Sequence, residues 1–276
     1  MAGVDVAVGP EAVTPTTATG SGITPVEPGV FLIDKPVGPT SFAMVQRVRR
    51  ALGVKKVGHA GTLDPFASGL LVVCVGRPAT RIIDQLMAGV KEYRAILQLG
   101  VETDTQDPEG RVIAVQPVTG VDEERIARVL VQFTGELMQT PPAYSALKHQ
   151  GKPLYAYARK GIIVSKEPRR VVIGQLVSEG FDPDTGRLTV RVTCGKGTYI
   201  RTLGADIGRE LGCGAHLVAL RRLQSGPFRV EAAIDGALLA DRDEARALLD
   251  ARRLTVEAAL AALAGGAGAE QAPQSA

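Results

Sequence analysis

The sequence predicts an α+β fold, and three observations carry that expectation. Apolar runs of strand length recur along the chain, Leu70 to Val75 being the most continuous. Other segments carry an apolar stripe at helical spacing: Ile200, Leu203, Ile207 and Leu211 step by three, four and four residues, which places them on one helix face. The two kinds of segment mix without a regular strand–helix–strand rhythm, which argues against a doubly wound parallel sheet.

Taken in order, residues 1–28 are rich in Gly, Pro, Thr and Val without a sustained period and are expected to form a disordered arm. Structure is expected from "GVFLIDKPVGPTS": Val30 to Ile33 as a strand, Pro36 to Pro39 as a turn, and Thr40 or Ser41 as the cap of a helix reaching about Leu52. After the strand at Leu70 to Val75, "RPATRIIDQLMAG" offers Thr80 as a cap and Gly89 as a stop. "KEYRAILQLG" reads as a strand, "VDEERIARVLVQFTG" as an amphipathic helix, and "RRVVIGQLV" with "RLTVRVTCG" as a strand pair. The tail, residues 236–276, is expected to hold one or two short helices before "GGAGAEQAPQSA" frays, and to be too short for an independent domain.

With 276 residues, moderate charge and an ordinary apolar share, the composition is that of a soluble globular protein. No apolar stretch reaches the roughly 18 to 20 residues of a spanning helix, and the N-terminus has no signal-peptide pattern, so the expected location is the cytoplasm. Cys74, Cys194 and Cys213 lie far apart and read as reduced and structural. Net charge is +3, unevenly spread: residues 1–28 and 235–276 each carry −3, leaving +9 for residues 29–234. A basic centre between acidic flanks suits a polyanionic partner. Residues 136–170 hold seven Lys or Arg against two Glu, together with three of the five tyrosines. Interleaved basic and aromatic side chains grip phosphates and stack on bases, whereas an exposed loop with tyrosines packed on the core is the plainer alternative.

The chemistry centres on "VGHAGTLDPFASGLLVVCVG". Asp-Pro is a common turn element that ordinarily does nothing more. Here Gly58, Gly61 and Gly69 bracket Asp64, and Leu70 to Val75 anchor the far end in the core, an arrangement able to hold a carboxylate rigidly at a rim. Paired-carboxylate hydrolysis needs a second acid, which this loop does not supply. His59, His149 and His216 are isolated, no Cys lies at ligand spacing, and no metal site is expected. "CGKGTYIRTLG" begins like a dinucleotide fingerprint but has Ile200 where the third glycine should be. A lone carboxylate suits nucleophilic attack or proton abstraction, with a cation nearby to keep it ionised; Arg201, at the start of the striped helix, is the candidate.

Five blocks, "GVFLIDKPVGPTSF", "VGHAGTLDPFASGLLVVCVG", "KEYRAILQLGVETDTQD", "QTPPAYSALKHQGKPLYAYARKG" and "CGKGTYIRTLGADIGRELGCGAHLVALRR", resemble the bacterial tRNA pseudouridine synthase B family, in the family order, over about residues 29 to 230. The resemblance implies a pseudouridine synthase fold, a mixed, mainly antiparallel sheet flanked by helices with a central catalytic cleft, occupying residues 29–235. It implies isomerisation of uridine-55 in the T-loop of tRNA without cofactor or metal, and it carries over Asp64 as the catalytic aspartate, Arg201 as its partner, Tyr93 against the target base, His59 holding flipped nucleotides, and Tyr199 and Leu220 as further pocket positions. The implied partner is the T-arm of tRNA, met by a monomer. Phe66 and Ser68 depart from the Leu and Thr of the family pattern while keeping apolar and hydroxyl character, and the chain is expected to lack a complete C-terminal RNA-binding PUA domain. An RNA-folding activity in which catalysis is secondary is the alternative of a different class.

Overall fold

The computed structural model describes residues 26–269 except positions 146, 159, 163 and 165. The expected N-terminal arm, up to residue 25, lies outside the described residues, as do Arg159 of the basic segment and residues 270–276 of the tail.

The first half of the chain contains β1 (Gly29–Lys35), α1 (Ser41–Leu52), β2 (Val57–Ala60), β3 (Ser68–Val75), α2 (Gly76–Arg81), α3 (Ile83–Ala88), β4 (Lys91–Leu99), β5 (Val101–Thr103), β6 (Val112–Val115), α4 (Glu123–Gln132) and β7 (Gly135–Gln139). Next come β8 (Lys148–His149), β9 (Lys152–Pro153), α5 (Leu154–Ala158), β10 (Arg169–Asp182), β11 (Arg187–Cys194) and α6 (Ile200–Glu210). The last part holds β12 (Ala215–Ser225), β13 (Phe228–Arg229), β14 (Ile234–Asp235), α7 (Arg242–Ala251) and α8 (Val256–Ala269).

Among the described residues one ten-stranded sheet runs in the order β14-β1-β3-β12-β4-β11-β10-β7, with β2 beside β3 and β13 beside β12. Its pairings are antiparallel except β1 with β14 and β3 with β12. The mixed, mainly antiparallel sheet expected from the resemblance is therefore present.

The burial pattern explains which strands were easy to read. In β3 every position from Gly69 to Val75 is buried, because both faces are covered. Leu71 and Val73 pack with Met44, Val48 and Leu249 of α1 and α7, while Leu70, Val72 and Cys74 pack with Leu86, Phe228 and Ala259. In β4 and β11 buried positions alternate with more exposed ones, as in a sheet covered on one face. That cover is α4 and α6, whose Ile126, Leu130, Ile200, Leu203 and Ile207 join Leu97, Val190 and Leu217. Each such aliphatic side chain contributes roughly 1.5–3 kcal/mol by leaving water. The two halves of the sheet meet where β3 and β12 pair through Arg221 with Ser68 and Arg222 with Gly69.

Two local expectations change, and one choice is settled. The segment after β3 forms two short helices broken at Ile82, and Thr80 does not cap: its hydroxyl donates to Arg77 O at 3.2 Å within α2. Of the two caps expected for α1, Thr40 serves, accepting from Ala43 N at 3.0 Å. The tail does not fray at Gly265, since α8 continues to Ala269. Leu254, between α7 and α8, exchanges backbone hydrogen bonds of 2.9 and 3.0 Å with Val30 of β1. The cysteines are free and buried, and burial pushes the Cys74 thiol up to about 12 and that of Cys194 up to about 11. Among the described residues no helix is long and apolar enough to cross a membrane.

Candidate active site

Asp64 sits in the loop between β2 and β3, at the seam of the two half-sheets. The loop is fixed from below by Leu63, Phe66 and Ala67, all buried. It is fixed from the side by the segment joining β1 to α1. Ser41 Oγ accepts from Leu63 N at 2.8 Å and donates to Leu63 O at 2.9 Å. Gly38 N donates to Pro65 O at 2.8 Å, and Asp64 O accepts from Ala67 N at 3.1 Å. Lys35, fully buried, donates to Pro36 O, Pro39 O and Pro65 O at 2.9, 2.6 and 3.4 Å. The turn residues of "DKPVGPTS" thus act as a bracket for the aspartate loop. Burial lowers the Lys35 amine to about 8, against the opposing pull of Asp64 and Glu109.

The Asp64 side chain keeps 38% of its surface, so it is not sealed in the interior. Its Oδ2 lies 3.0 Å from Nε of Arg201, which is 5% exposed. The rest of that guanidinium is also engaged: Nη1 donates to Thr105 O at 2.9 Å and to Asp107 Oδ2 at 3.2 Å, and Nη2 to Tyr144 O at 2.7 Å. Asp107 is itself held, accepting at Oδ1 from Thr105 Oγ1 at 2.5 Å and from Glu109 N at 3.0 Å. A guanidinium whose Nη1 and Nη2 are tied to fixed oxygens presents Nε to Asp64 in a set direction.

The expected cation, Arg201, is beside Asp64, and burial acts against it. Burial raises its carboxyl above the ordinary aspartate value of 3.8; Arg201 and Lys35 pull it down, while Asp107 pushes it further up. The net direction is upward, which makes the carboxylate more basic than a solvated one.

Tyr93 projects from β4 and is 7% exposed, with burial holding its phenol above the ordinary value and the charge of Arg222 opposing that rise. The charge of Asp64 also reaches the phenol. His59, on β2, is held below the ordinary imidazole value by burial and by the charge of Arg222, and its buried Nδ1 has no partner among the described residues. Leu220, 8% exposed on β12, lies opposite Ala95 and shares an apolar cluster with Leu63, Phe66 and Tyr93. Tyr199 precedes α6 directly. Its backbone is clamped by Gln139, which donates to Tyr199 O at 3.1 Å and accepts from Tyr199 N at 2.8 Å, and its ring lies 4.9 Å from the Arg169 guanidinium.

The structure therefore brings Asp64, Arg201 and Tyr93 into one electrostatic neighbourhood, with Leu220 in the same cluster and His59 joined to it through Arg222. For Tyr199 it shows position beside Arg201 in sequence and a cation–π contact with Arg169 of the basic segment. Two residues were missed. Asp107 carried a signal, because it begins an Asp-Pro pair like that of Asp64. Arg222 carried none: nothing in the sequence separates it from Arg221, yet Arg221 pairs with Asp34 at 2.6 Å while Arg222 is 1% exposed.

The family model for the N-terminal domain of TruB family pseudouridylate synthases matches residues 49–200, and the model for the tRNA pseudouridylate synthase B C-terminal domain matches residues 201–261. The tRNA pseudouridine synthase B of Desulfotalea psychrophila is 62% identical over 209 residues, 75% of this chain and 85% of that relative. The protein of the same name from Bordetella avium is 51% identical over 225 residues, 80% of this chain and 91% of that relative. Among solved structures, a chain from a Cbf5-Nop10-Gar1 complex aligns with a TM-score of 0.63 at 30% identity, over 85% of this chain and 62% of that one. An H/ACA RNP bound to a substrate RNA containing 2'-deoxyuridine gives 0.60 at 28%, over 85% and 61%. Arg201, the residue that meets both aspartates, stands where the two matched models adjoin, and with both models in place along most of its length the chain belongs to the TruB family of pseudouridylate synthases.

Proposed function

We propose that the protein isomerises uridine-55 in the T-loop of tRNA to pseudouridine, with Asp64 as the catalytic carboxylate. The observation that carries this reading is a partly exposed, basic carboxylate held by an arginine whose three nitrogens all meet oxygens, in a chain of this family. A lone carboxylate acts on the ribose either by attack at C1′ or by removal of a ribose proton. The N1–C1′ bond breaks, the uracil turns while held, C5 bonds to C1′, the C5 proton is lost to solvent through a base, and N1 takes up a proton from solvent. Substrate and product are isomers, so the reaction needs no net oxidant or reductant, and the reading assigns no metal or cofactor.

The target base must leave its stack, at a cost of a few kcal/mol. Stacking on aromatic or imidazole faces returns roughly 1–3 kcal/mol per base. Tyr93 and His59 are assigned that part, the lowered pKa of His59 favouring a neutral ring. Leu220 and Tyr199 complete the pocket in this reading, and exposed Lys152 and Lys160 of the basic segment grip phosphates of the T-arm. Residues 29–235 are assigned as the catalytic unit, working as a monomer in the cytoplasm.

Asp64→Asn keeps the shape of the side chain and removes its basicity. Expected is a loss of about a thousandfold or more in tritium release from tRNA carrying 5-tritiated uridine, with tRNA affinity within about threefold of wild type. Retained turnover overturns the assignment of Asp64.

A further inference from the structure

Gln139, the last residue of β7, is 5% exposed and spends both ends of its side-chain amide on one residue of another element. Oε1 accepts from Tyr199 N at 2.8 Å and Nε2 donates to Tyr199 O at 3.1 Å. One orientation of the amide satisfies both bonds, because a flipped amide sets donor against donor and acceptor against acceptor. Tyr199 is the cap residue of α6, and its own side chain makes no capping bond. Its carbonyl also accepts from Leu203 N at 3.1 Å, the first bond of the helix. In a capping box the N–H of the cap residue is met by a Glu or Gln three positions on. That position here holds Thr202, whose hydroxyl donates to Gln106 Oε1 at 3.1 Å. Gln139 therefore does from a distant strand what the helix does not do for itself.

Arg201 is the second residue of α6, so its backbone starts from the clamped Tyr199. The same stretch of chain reaches the tip of its side chain: shortly beyond Gln139, Tyr144 O accepts from Arg201 Nη2 at 2.7 Å. Across the sheet Gln139 pairs with Arg169, the first residue of β10, which donates to Gly197 O and lies over the Tyr199 ring. Arg169 holds the turn and the ring; Gln139 holds the peptide groups from which α6 starts. Arg201 Nε meets Asp64 at 3.0 Å, and a shift of roughly 1 Å in the helix start takes that contact beyond hydrogen-bond reach.

We propose that Gln139 is a positioning residue for the isomerisation: by holding the peptide groups of Tyr199 it fixes where Arg201 leaves α6, and so keeps the guanidinium on Asp64. This rests on the function assigned above, and it adds a residue that acts through Arg201 rather than on the substrate.

The test is single-turnover tritium release across pH, with tRNA affinity and thermal melting, for Gln139→Met and Gln139→Glu, each alone and combined with Arg201→Lys. Met keeps the bulk of the side chain and loses both bonds, whereas Glu keeps the acceptor for Tyr199 N and loses the donor to Tyr199 O. Expected in the Met variant is a rate loss at saturating tRNA of about tenfold or more, with affinity within about threefold, and a smaller rate loss in the Glu variant. The charged groups bearing on Asp64 are Arg201, Asp107 and Lys35, and Arg201 pulls its carboxyl down. A loosened Arg201 leaves that carboxyl higher, so the acid limb of the rate moves to higher pH, a change that lost packing alone does not make. In the Arg201→Lys background the Met substitution lowers the rate by less than about threefold, because the side chain it places is already gone. Equal losses in both backgrounds, an acid limb that stays put or moves to lower pH, a loss confined to affinity, or failure of both variants to fold each overturn the proposal. Wild-type protein that releases no tritium overturns the function itself, a result read before any Gln139 variant is made.

Discussion

At Asp64 burial and charge pull in opposite directions, and the direction of the outcome matters for catalysis. A carboxylate held above its ordinary value accepts a proton, or attacks carbon, more readily than a solvated one. The reaction needs the ionised form, so its rate must fall as pH drops through that raised value. Asp107 is one cause of the rise; replacing it by Asn removes a negative charge near Asp64 and lowers the carboxyl pKa. The acid limb of the single-turnover rate in Asp107→Asn is therefore expected at lower pH than in wild type. A limb that stays put or moves to higher pH contradicts this account of the site's electrostatics. Asp64 was legible in sequence because glycines and an apolar strand frame it. Asp107 was not weighed, because its role arises from the fold: residues 43 positions apart meet only through Arg201, itself nearly a hundred residues further on.

Among the elements, the loop holding Asp64 depends on close backbone approach. Gly69 has φ +102°, and an added Cβ would lie 2.3 Å from Arg222 O and 2.6 Å from Arg222 N, backbone atoms that cannot step aside. Gly69→Ala is expected to destabilise the fold by roughly 3 kcal/mol or more, read as a fall in the denaturant midpoint. A midpoint unchanged within error contradicts the packing described here. The strands with strong local patterns, β1, β3, β4, β10 and β11, were legible as apolar runs or alternations, and so was the stripe of α6. The strand that joins the two half-sheets was not. In β12, "AHLVALRRLQS" places two arginines in mid-strand and carries register shifts between Leu217 and Ala219 and between Arg222 and Gln224, so its alternation is broken. β2 is only four residues long and contains Gly58 and His59, too short for a period to show. The part of the fold hardest to read is thus the part that builds the site, because polar residues and irregular register there serve contacts across the sheet.

For the whole molecule, the site occupies the seam between a half-sheet covered on both faces and one covered by α4 and α6. A rigid scaffold on either side holds Asp64, Arg201 and Tyr93, which come from a loop, a helix start and a strand distant in sequence. The tail helices add to that scaffold: Leu254 pairs with Val30, and Ala259 of α8 is fully buried against the β1–β3 face. The central excess of positive charge lies in the same 29–234 span, where a polyanion must approach. The claim on which these parts converge is that one carboxylate modifies one uridine of tRNA. Mapping pseudouridine by carbodiimide adducts and primer extension, in unmodified tRNA treated with wild type or with Asp64→Asn, tests it most directly. The account predicts a single stop reporting position 55 with wild type and none with the variant; a stop at another uridine, or one that survives loss of the carboxylate, contradicts it.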